Sequence, residues 1–472
     1  MPLPVLTVEQ MRLWENATWQ AGRSPESVIA RAGEMIARRA LTLTHPGQSI
    51  VLLAGPGHNG DDARATQTHL ADRKVTVLNI SDPEKSLDPL AAALTKNPAL
   101  IIDGLFGIGL NRPLTAAWQK IIEAVNTAGI PILSIDVPSG LNADSGQVAG
   151  AALRATVTLT LGAPKQGLLN ASAWPYVGRL EVAHDIGLVP HDFENVDTHW
   201  TCADDFLDFP PARPVATHKG SFGHLCLLAG STGYHGAAVI ASRGALRAQP
   251  GLVSLFIPAP AFPAAAAQLH QAMVHPWQTG RSLPGSTTAL VAGPGLAAAD
   301  LSGEIRSHWE TFSGPMIVDA SALPWLPASS TVNPFVRIIT PHPGEAARLL
   351  GMMGEEIQRD RPAALRALSQ KFGRCHVVLK GHQTLVGTAN GPIFVNSSGN
   401  PSLAQGGTGD LLAGFLGGLL AQPVLAKNPT QSICYAVWAH GAAADDLSER
   451  FRNWNIDNLE QTIGNHTLTQ LP

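Results

Sequence analysis

Gly406-Gly407-Thr408-Gly409-Asp410 runs directly into the apolar stretch Leu411-Leu412-Ala413-Gly414-Phe415-Leu416. A helix that opens on glycines presents unpaired backbone N–H groups and the positive end of its dipole, so its first turn attracts a phosphate. An aspartate in that turn sits beside the anion without binding it. The pairing suits phosphoryl transfer: the amides hold the moving group while the carboxylate takes a proton from the attacking hydroxyl. A plain turn with an aspartate cap accounts for Asp410, but it leaves the run of glycines before it unexplained.

Outward from this motif, short β-branched runs alternate with helical patterns. A capping box at Thr7 to Gln10 opens helices over 8–20 and 25–43. Strands are predicted at 49–54, 74–80, 100–103, 130–136 and 156–161, with a helix from about Asn59. Near-continuous apolar strands of this kind belong to a parallel sheet covered on both faces. Ligands in such α/β folds bind beyond the carboxyl ends of the strands. The glycine-rich polar motifs of this half, 55–62, 103–113 and 136–142, all fall there. A break rich in proline and aspartate follows, which places a domain boundary at about 205–215. The alternation then restarts with strands at 224–229, 252–257, 290–292, 316–319, 337–340 and 376–379. Thr388-Ala389-Asn390-Gly391 reads as a hairpin turn. No repeat links the halves, so two unrelated domains are expected, 1–205 and 215–472.

Composition excludes several classes. A net charge of −4 offers no basic surface for nucleic acid or an anionic membrane. The stretch 411–426 contains glycines and Pro423 and falls short of the ~20 apolar residues of a membrane span, so a buried helix is expected. The N-terminus has neither a basic region nor an apolar core of a signal peptide. Cys202, Cys226, Cys375 and Cys434 are scattered without Cys-x-x-Cys spacing, which fits reduced thiols in a cytoplasmic protein.

In the second half, several elements can converge on a nucleotide and a second substrate. Lys219 to Gly223 precedes a strand and Gly230 to Gly233 follows it. Thr340-Pro341-His342-Pro343-Gly344-Glu345 pins a histidine between prolines just past a strand; such a histidine is structural or functional with even odds. Lys380-Gly381-His382-Gln383-Thr384 also follows a strand. Taken with Gly293-Pro294-Gly295-Leu296 and the Asp410 motif, these segments resemble the ADP-dependent NAD(P)H-hydrate dehydratases, ribokinase-like proteins that repair hydrated nicotinamide cofactor. The resemblance spans 215–450. It implies that ADP phosphorylates the stray hydroxyl activated by Asp410 and that phosphate then leaves to restore the ring double bond. It further implies that Lys380, Gly381, His382, Gln383 and Thr384, with Gly407, Thr408 and Gly409, contact the nucleotide. Ala237, Gly293, Gly295 and His342 would face the hydrated cofactor, and Glu345 would help organise Mg2+. Where the family has Asp-Ala-Asp this chain reads Asp319-Ala320-Ser321, and Ala297 replaces a glycine.

Asp103-Gly104-Leu105-Phe106-Gly107-Ile108-Gly109-Leu110-Asn111-Arg112-Pro113 and Ser134 to Asn142 resemble the NAD(P)H-hydrate epimerases over 5–200. That resemblance implies a Rossmann-like parallel sheet with helices on both faces, joined to the ribokinase-like α/β domain. It implies K+ ligands Asn59, Asp103 and Ser139, and substrate contacts from His58, Asn59, Gly60, Asp61 and Asp62 and from the 107–113 loop. Asp136 is its candidate acid/base, and Lys165 matches a family position. A homo-oligomer is the family expectation. One loop departs: Asn-Asn-Gly-Gly-Asp-Gly in the family is His58-Asn59-Gly60-Asp61-Asp62-Ala63 here. Asp61 would bring a charge to an anion site, at about 1–4 kcal/mol, and Ala63 would add about 1–2 kcal/mol if its backbone needed positive φ. A weakened epimerase is therefore expected. The alternative is a ribokinase-like small-molecule kinase whose N-terminal half only binds.

Overall fold

The computed structural model describes residues 2–297 and 301–465; residues 466–472 of the expected second domain lie outside them. The chain divides into two compact units after Val196. The second unit starts at Asp197, ahead of the 205–215 segment, because Thr198–Trp200 is already one of its strands, paired in parallel with Ile393–Val395.

In the first unit, strands β1 (Ser49–Ala54), β2 (Lys74–Asn79), β3 (Leu100–Gly104), β4 (Ile132–Ile135), β5 (Val157–Leu161) and β6 (Arg179–Ala183) form one sheet in the order β2-β1-β3-β4-β5-β6. Every neighbouring pair is parallel. Two-residue periodicity explains the coverage of both faces. Ile50 and Leu52 enter one core with Ala32 and Ile36 of the helix Pro25–Thr42. Val51 and Leu53 enter another with Leu90 and Ile121 from the helices Pro83–Leu94 and Ala116–Thr127. Each such side chain contributes roughly 1.5–3 kcal/mol by leaving water. Successive connections leave β1 toward β2 on one side and β3 on the other, which opens a crevice at their carboxyl ends. Helix α1 (Val8–Gln20) begins with the expected capping box, Thr7 and Gln10 exchanging side-chain and backbone bonds, and α2 (His58–Thr66) follows β1.

The second unit continues with β7 (Thr198–Trp200), β8 (His224–Leu228), β9 (Leu252–Pro258), β10 (Met273–Trp277), β11 (Ala289–Ala292), β12 (Met316–Val318), β13 (Arg337–Ile339), β14 (His376–Leu379), β15 (Leu385–Gly387) and β16 (Ile393–Val395). Their order is β7-β16-β15-β14-β13-β12-β11-β8-β9-β10. From β10 to β14 the pairs are parallel, and β15 and β16 form the antiparallel hairpin expected around Asn390. The helices that matter for the site are α3 (His235–Arg247), α4 (Pro343–Leu350), α5 (Arg361–Lys371), α6 (Thr408–Leu420) and α7 (Pro429–Arg450).

Helix α6 is the buried helix foreseen from its apolar run, with Leu411 to Leu420 all buried. It lies almost backbone to backbone on α3. A Cβ on Gly414 would come 1.8 Å from the Ala241 carbonyl oxygen, and one on Gly244 2.3 Å from that of Leu411. These glycines thus serve close packing, which clamps the Asp410 end of α6 against α3. Among the described residues no helix is long and apolar enough to cross a membrane.

Candidate active sites

Gly407 caps α6 at φ 94°, and no side chain bonds to the cap. The first-turn amides therefore face outward without a protein acceptor at the cap. Thr408 turns its hydroxyl back onto the carbonyls of Leu403 and Gln405, 3.0 Å from each, and so braces the loop. Asp410 is mostly buried. Burial first and then the Asp319 charge push its carboxyl up to about 6, with Glu345 adding and Lys380 opposing.

Lys380, past the end of β14, places Nζ 2.8 Å from Oδ1 of Asp319, past the end of β12. Thr340, past β13, donates its hydroxyl to the same oxygen at 2.6 Å. Burial pulls the Lys380 ammonium down, but Asp319, Glu345 and Asp410 outweigh it and hold its pKa above the ordinary value. A Cβ on Gly409 would reach within 3.3 Å of Lys380 Nζ, so the ammonium lies against the first turn of α6. Three strand ends and one helix start meet at one point.

The remaining expected residues surround it. Gly293 (φ 124°) lets β11 end against Asp319, whose carbonyl oxygen a Cβ would meet at 1.8 Å, and Gly295 packs on Ala237 at the start of α3. His342 proves to be a helix cap: Nδ1 accepts from the amides of Gly344 (3.0 Å) and Glu345 (3.4 Å), and Glu345 Oε2 accepts from the His342 amide at 2.9 Å. The histidine thus has a structural duty, with its ring half-exposed beyond it. In the 380–384 loop, Thr384 donates to the Gly381 carbonyl at 3.1 Å. Burial, then the Arg361 charge, lowers the His382 pKa. Gln383 adopts φ 53°, and neither atom of its buried amide has a hydrogen-bond partner among the described residues. Arg361 of α5 fastens this loop through the carbonyls of Leu379, Lys380, His382 and Gln383.

In the first unit, a cavity of about 520 Å³ opens at the carboxyl ends of β1, β3, β4 and β5. His58, Asn59, Asp62, Gly107, Ile108, Gly109, Leu110, Asn111, Arg112, Asp136 and Lys165 all line it. Gly60, Asp61 and Pro113 are not among the lining residues. Gly60 instead packs α2 onto the strand, since a Cβ would lie 2.0 Å from the Gly55 carbonyl oxygen.

Asp136 holds a positive φ of 63°, a strained conformation for a residue with a side chain. Its Oδ1 accepts from Lys165 Nζ, Thr160 Oγ1 (3.2 Å) and the Leu161 amide (3.2 Å). Lys165, buried, also donates to the Leu161 carbonyl at 2.7 Å. Beneath this pair, Asp103 is fully buried and accepts from Ser139 Oγ (2.6 Å), Ser134 Oγ (2.8 Å) and the amides of Ser139 (2.9 Å) and Leu105 (3.2 Å). Burial still raises its pKa against those donors. Asn59 donates to the carbonyls of Phe106 (2.9 Å) and Ile135 (3.2 Å).

The expectation of strain in the 58–63 loop is overturned. Ala63 sits inside helix α2 without positive φ, fully buried against Gly104. Asp61 bonds Arg64 at 2.7 Å, so its charge is countered by its own helix.

In the sequence Asp319 shows only as a strand end within a variant motif and Thr340 only as the residue that opens the His342 segment, while Arg361 and Glu15 carry no local signal of a site. Asp319 had a usable signal: like Asp103 and Asp136, it ends an apolar strand at the carboxyl edge. The cysteines are free, as expected. Among the described residues no group of three metal-ligating side chains of the His, Cys, Asp and Glu types occurs.

The family model for NAD(P)H-hydrate dehydratase matches residues 225–465, and that for the YjeF-related protein N-terminus matches residues 81–167. The chain is 34% identical over 500 residues to the bifunctional NAD(P)H-hydrate repair enzyme of Gloeobacter violaceus, covering 96% of both. It is 33% identical over 464 residues to that of Coxiella burnetii, covering 93% of this chain and 94% of the other. A crystal structure of a ribokinase-like superfamily protein from Enterococcus faecalis matches with a TM-score of 0.51 at 24% identity, over 59% of this chain and 97% of that one, which shows the shared fold. With relatives of this similarity spanning both halves, the chain belongs to the bifunctional NAD(P)H-hydrate repair enzymes.

Proposed function

We propose that the second unit phosphorylates the hydroxyl of hydrated NADH or NADPH from ADP and expels phosphate, while the first unit interconverts the two stereoisomers. The observation that carries this reading is Asp410, a carboxyl with its pKa at about 6 in the first turn of a glycine-capped helix, flanked by Lys380. A base with a pKa near the working pH is both largely ionised and able to accept a proton. The amides of Thr408 and Gly409 would hold the transferring phosphoryl group, and Lys380 would neutralise its oxygens. The 380–384 loop fastened by Arg361 would cradle the nucleotide, with the unpartnered Gln383 amide available to it. Ala237, Gly293, Gly295 and the half-exposed His342 ring would face the hydrated cofactor.

Mg2+ fits this site chiefly through the nucleotide's own phosphates and water. Glu345 is the protein carboxylate placed to assist, with Oε2 already accepting from the His342 amide. K+ fits the first unit better. Asp103 is a buried carboxylate with several hydrogen-bond donors and no ion-pair partner among the described residues. The Ser139 hydroxyl adjoins it, Asn59 lies across the Phe106 carbonyl, and all offer the oxygen donors an alkali ion takes. There, Asp136 held by Lys165 would act as the acid/base. Four free cysteines fit a reducing cytoplasm, and light scattering would test the homo-oligomer.

The deciding experiment incubates the chain with chemically hydrated NADH, isomers resolved, with ADP, with ATP or with neither. NADH absorbance should return from the S isomer only with nucleotide, and the R isomer should drain through exchange. Accumulation of a stable phosphorylated alcohol would instead identify a small-molecule kinase.

A further inference from the structure

Helix α1 carries a carboxylate into the first unit's cavity. The helix is anchored on either side of Lys165: the Leu6 amide donates to the Pro164 carbonyl at 2.9 Å, and the Gln166 amide to the Leu6 carbonyl at 3.0 Å. Trp14 Nε1 adds a bond to the Val189 carbonyl at 2.7 Å. Residues three and four apart share a helix face, so this seating turns Arg12, Glu15 and Trp19 together into the cavity that Asp136 and Lys165 line.

Glu15 is only partly exposed and makes no hydrogen bond or ion pair among the described residues. Asp62, on α2 across the same cavity, is 8% exposed, and its carboxyl likewise has no partner among them. Carboxyls buried for stability come with donors, as Asp103 does in the same unit. These two have a cavity instead.

We propose that Glu15 is a second catalytic residue of the first unit, exchanging a proton with the hydroxyl of the hydrated nicotinamide ring alongside Asp136. The role rests on the epimerase reading above. In the exchange, the hydroxyl takes a proton, and its bond to the ring carbon breaks as water leaves. The ring nitrogen's lone pair forms the compensating C=N bond. Water then adds to the other face, the nitrogen recovers its pair, and the surplus proton passes to a carboxylate. A carboxyl that gives its proton as water leaves is thereby ready to take the surplus proton back when water adds. Burial and then the Asp136 charge raise the Glu15 pKa, against Lys165, His58 and Arg12, and the same two causes raise that of Asp62 well above its ordinary value. Both carboxyls thus hold a proton more tightly than a solvated acid would.

The test compares wild type, Glu15→Gln and Glu15→Asp as full chains, following isomer exchange by chromatography and ADP-dependent dehydration of the S isomer separately. Glu15→Gln should lower kcat for exchange by about 10²- to 10⁴-fold and reshape its pH profile. KM should stay within about threefold, and dehydration should be unchanged. Glu15→Asp should recover part of the rate. Wild-type exchange in Glu15→Gln, or a change in KM alone, would overturn the catalytic role and leave the epimerase reading intact. A wild-type chain that dehydrates but never exchanges would overturn the epimerase reading and the role with it. Unaltered dehydration and unfolding temperature identify a folded variant.

Discussion

Lys165 in the first unit bonds Asp136, the acid/base candidate itself, whereas Lys380 in the second bonds Asp319 and leaves Asp410 to one side. Both lysines stand at carboxyl ends of parallel strands, and both have an aspartate partner. The consequence differs. A carboxylate bonded to an ammonium is oriented and its charge balanced. A carboxyl set beside an ion pair and other acids is buried among charges that do not favour its ionisation, and Asp410 accordingly rises to about 6. One arrangement fixes a group in place; the other makes a base whose proton affinity suits neutral pH.

The largest test of this contrast is Asp410→Asn. Dehydration should fall by at least about 10³-fold in kcat, with ADP affinity by calorimetry largely retained. Wild-type turnover would sink the assignment. The same variant should be more stable at neutral pH. With its folded pKa raised from 3.8 to about 6, Asp410 leaves the fold's stability intact below pH 4 and weakens it as pH rises through 6. Urea unfolding should therefore show the variant gaining on the order of 2 kcal/mol at pH 7 and nothing at pH 3.5. In the wild type, kcat for dehydration should drop as pH falls through about 6.

Asp319→Asn sharpens the comparison. It leaves the largely buried Lys380 ammonium without its bonded partner, a loss of about 3 kcal/mol or more, measurable by denaturation. Asp319 is also the charge that, after burial, raises Asp410 most. Its removal should move the acid limb of the dehydration profile below pH 6. A limb that stays put would mean Asp410 is not the titrating base.

How much of this was legible beforehand follows from the range of the interactions. The sheet could be read because apolar runs and two-residue alternation are local, and the glycine motifs stood out because ligand-facing turns need unusual backbone. The Lys380–Asp319 pair joins residues far apart in sequence, and nothing near either names the other. Arg361 resembles any helix-starting arginine until four carbonyls are seen converging on it. Glu15 was hidden for a related reason: helical periodicity marks Met11, Trp14 and Thr18 as the buried face, but it cannot show that the flanking stripe looks into a cavity.

Ala63 was illegible for the opposite reason, since a motif compared letter by letter does not carry its secondary structure. Loop glycines can mark positive φ, but a glycine within a helix marks only small size. Ala63 is helical and fully buried, so Ala63→Gly should destabilise the first unit by about 1 kcal/mol, the sign opposite to relief of strain. Asp61→Gly should have the least effect of all. Its carboxylate bonds Arg64 and is 42% exposed, and a solvated pair of this kind contributes about 0–1 kcal/mol. Exchange measured in Asp61→Gly should therefore lie within about threefold of wild type. A rise of tenfold or more would show that the charge does reach a bound phosphate, and that the first unit works below the capacity of its cavity.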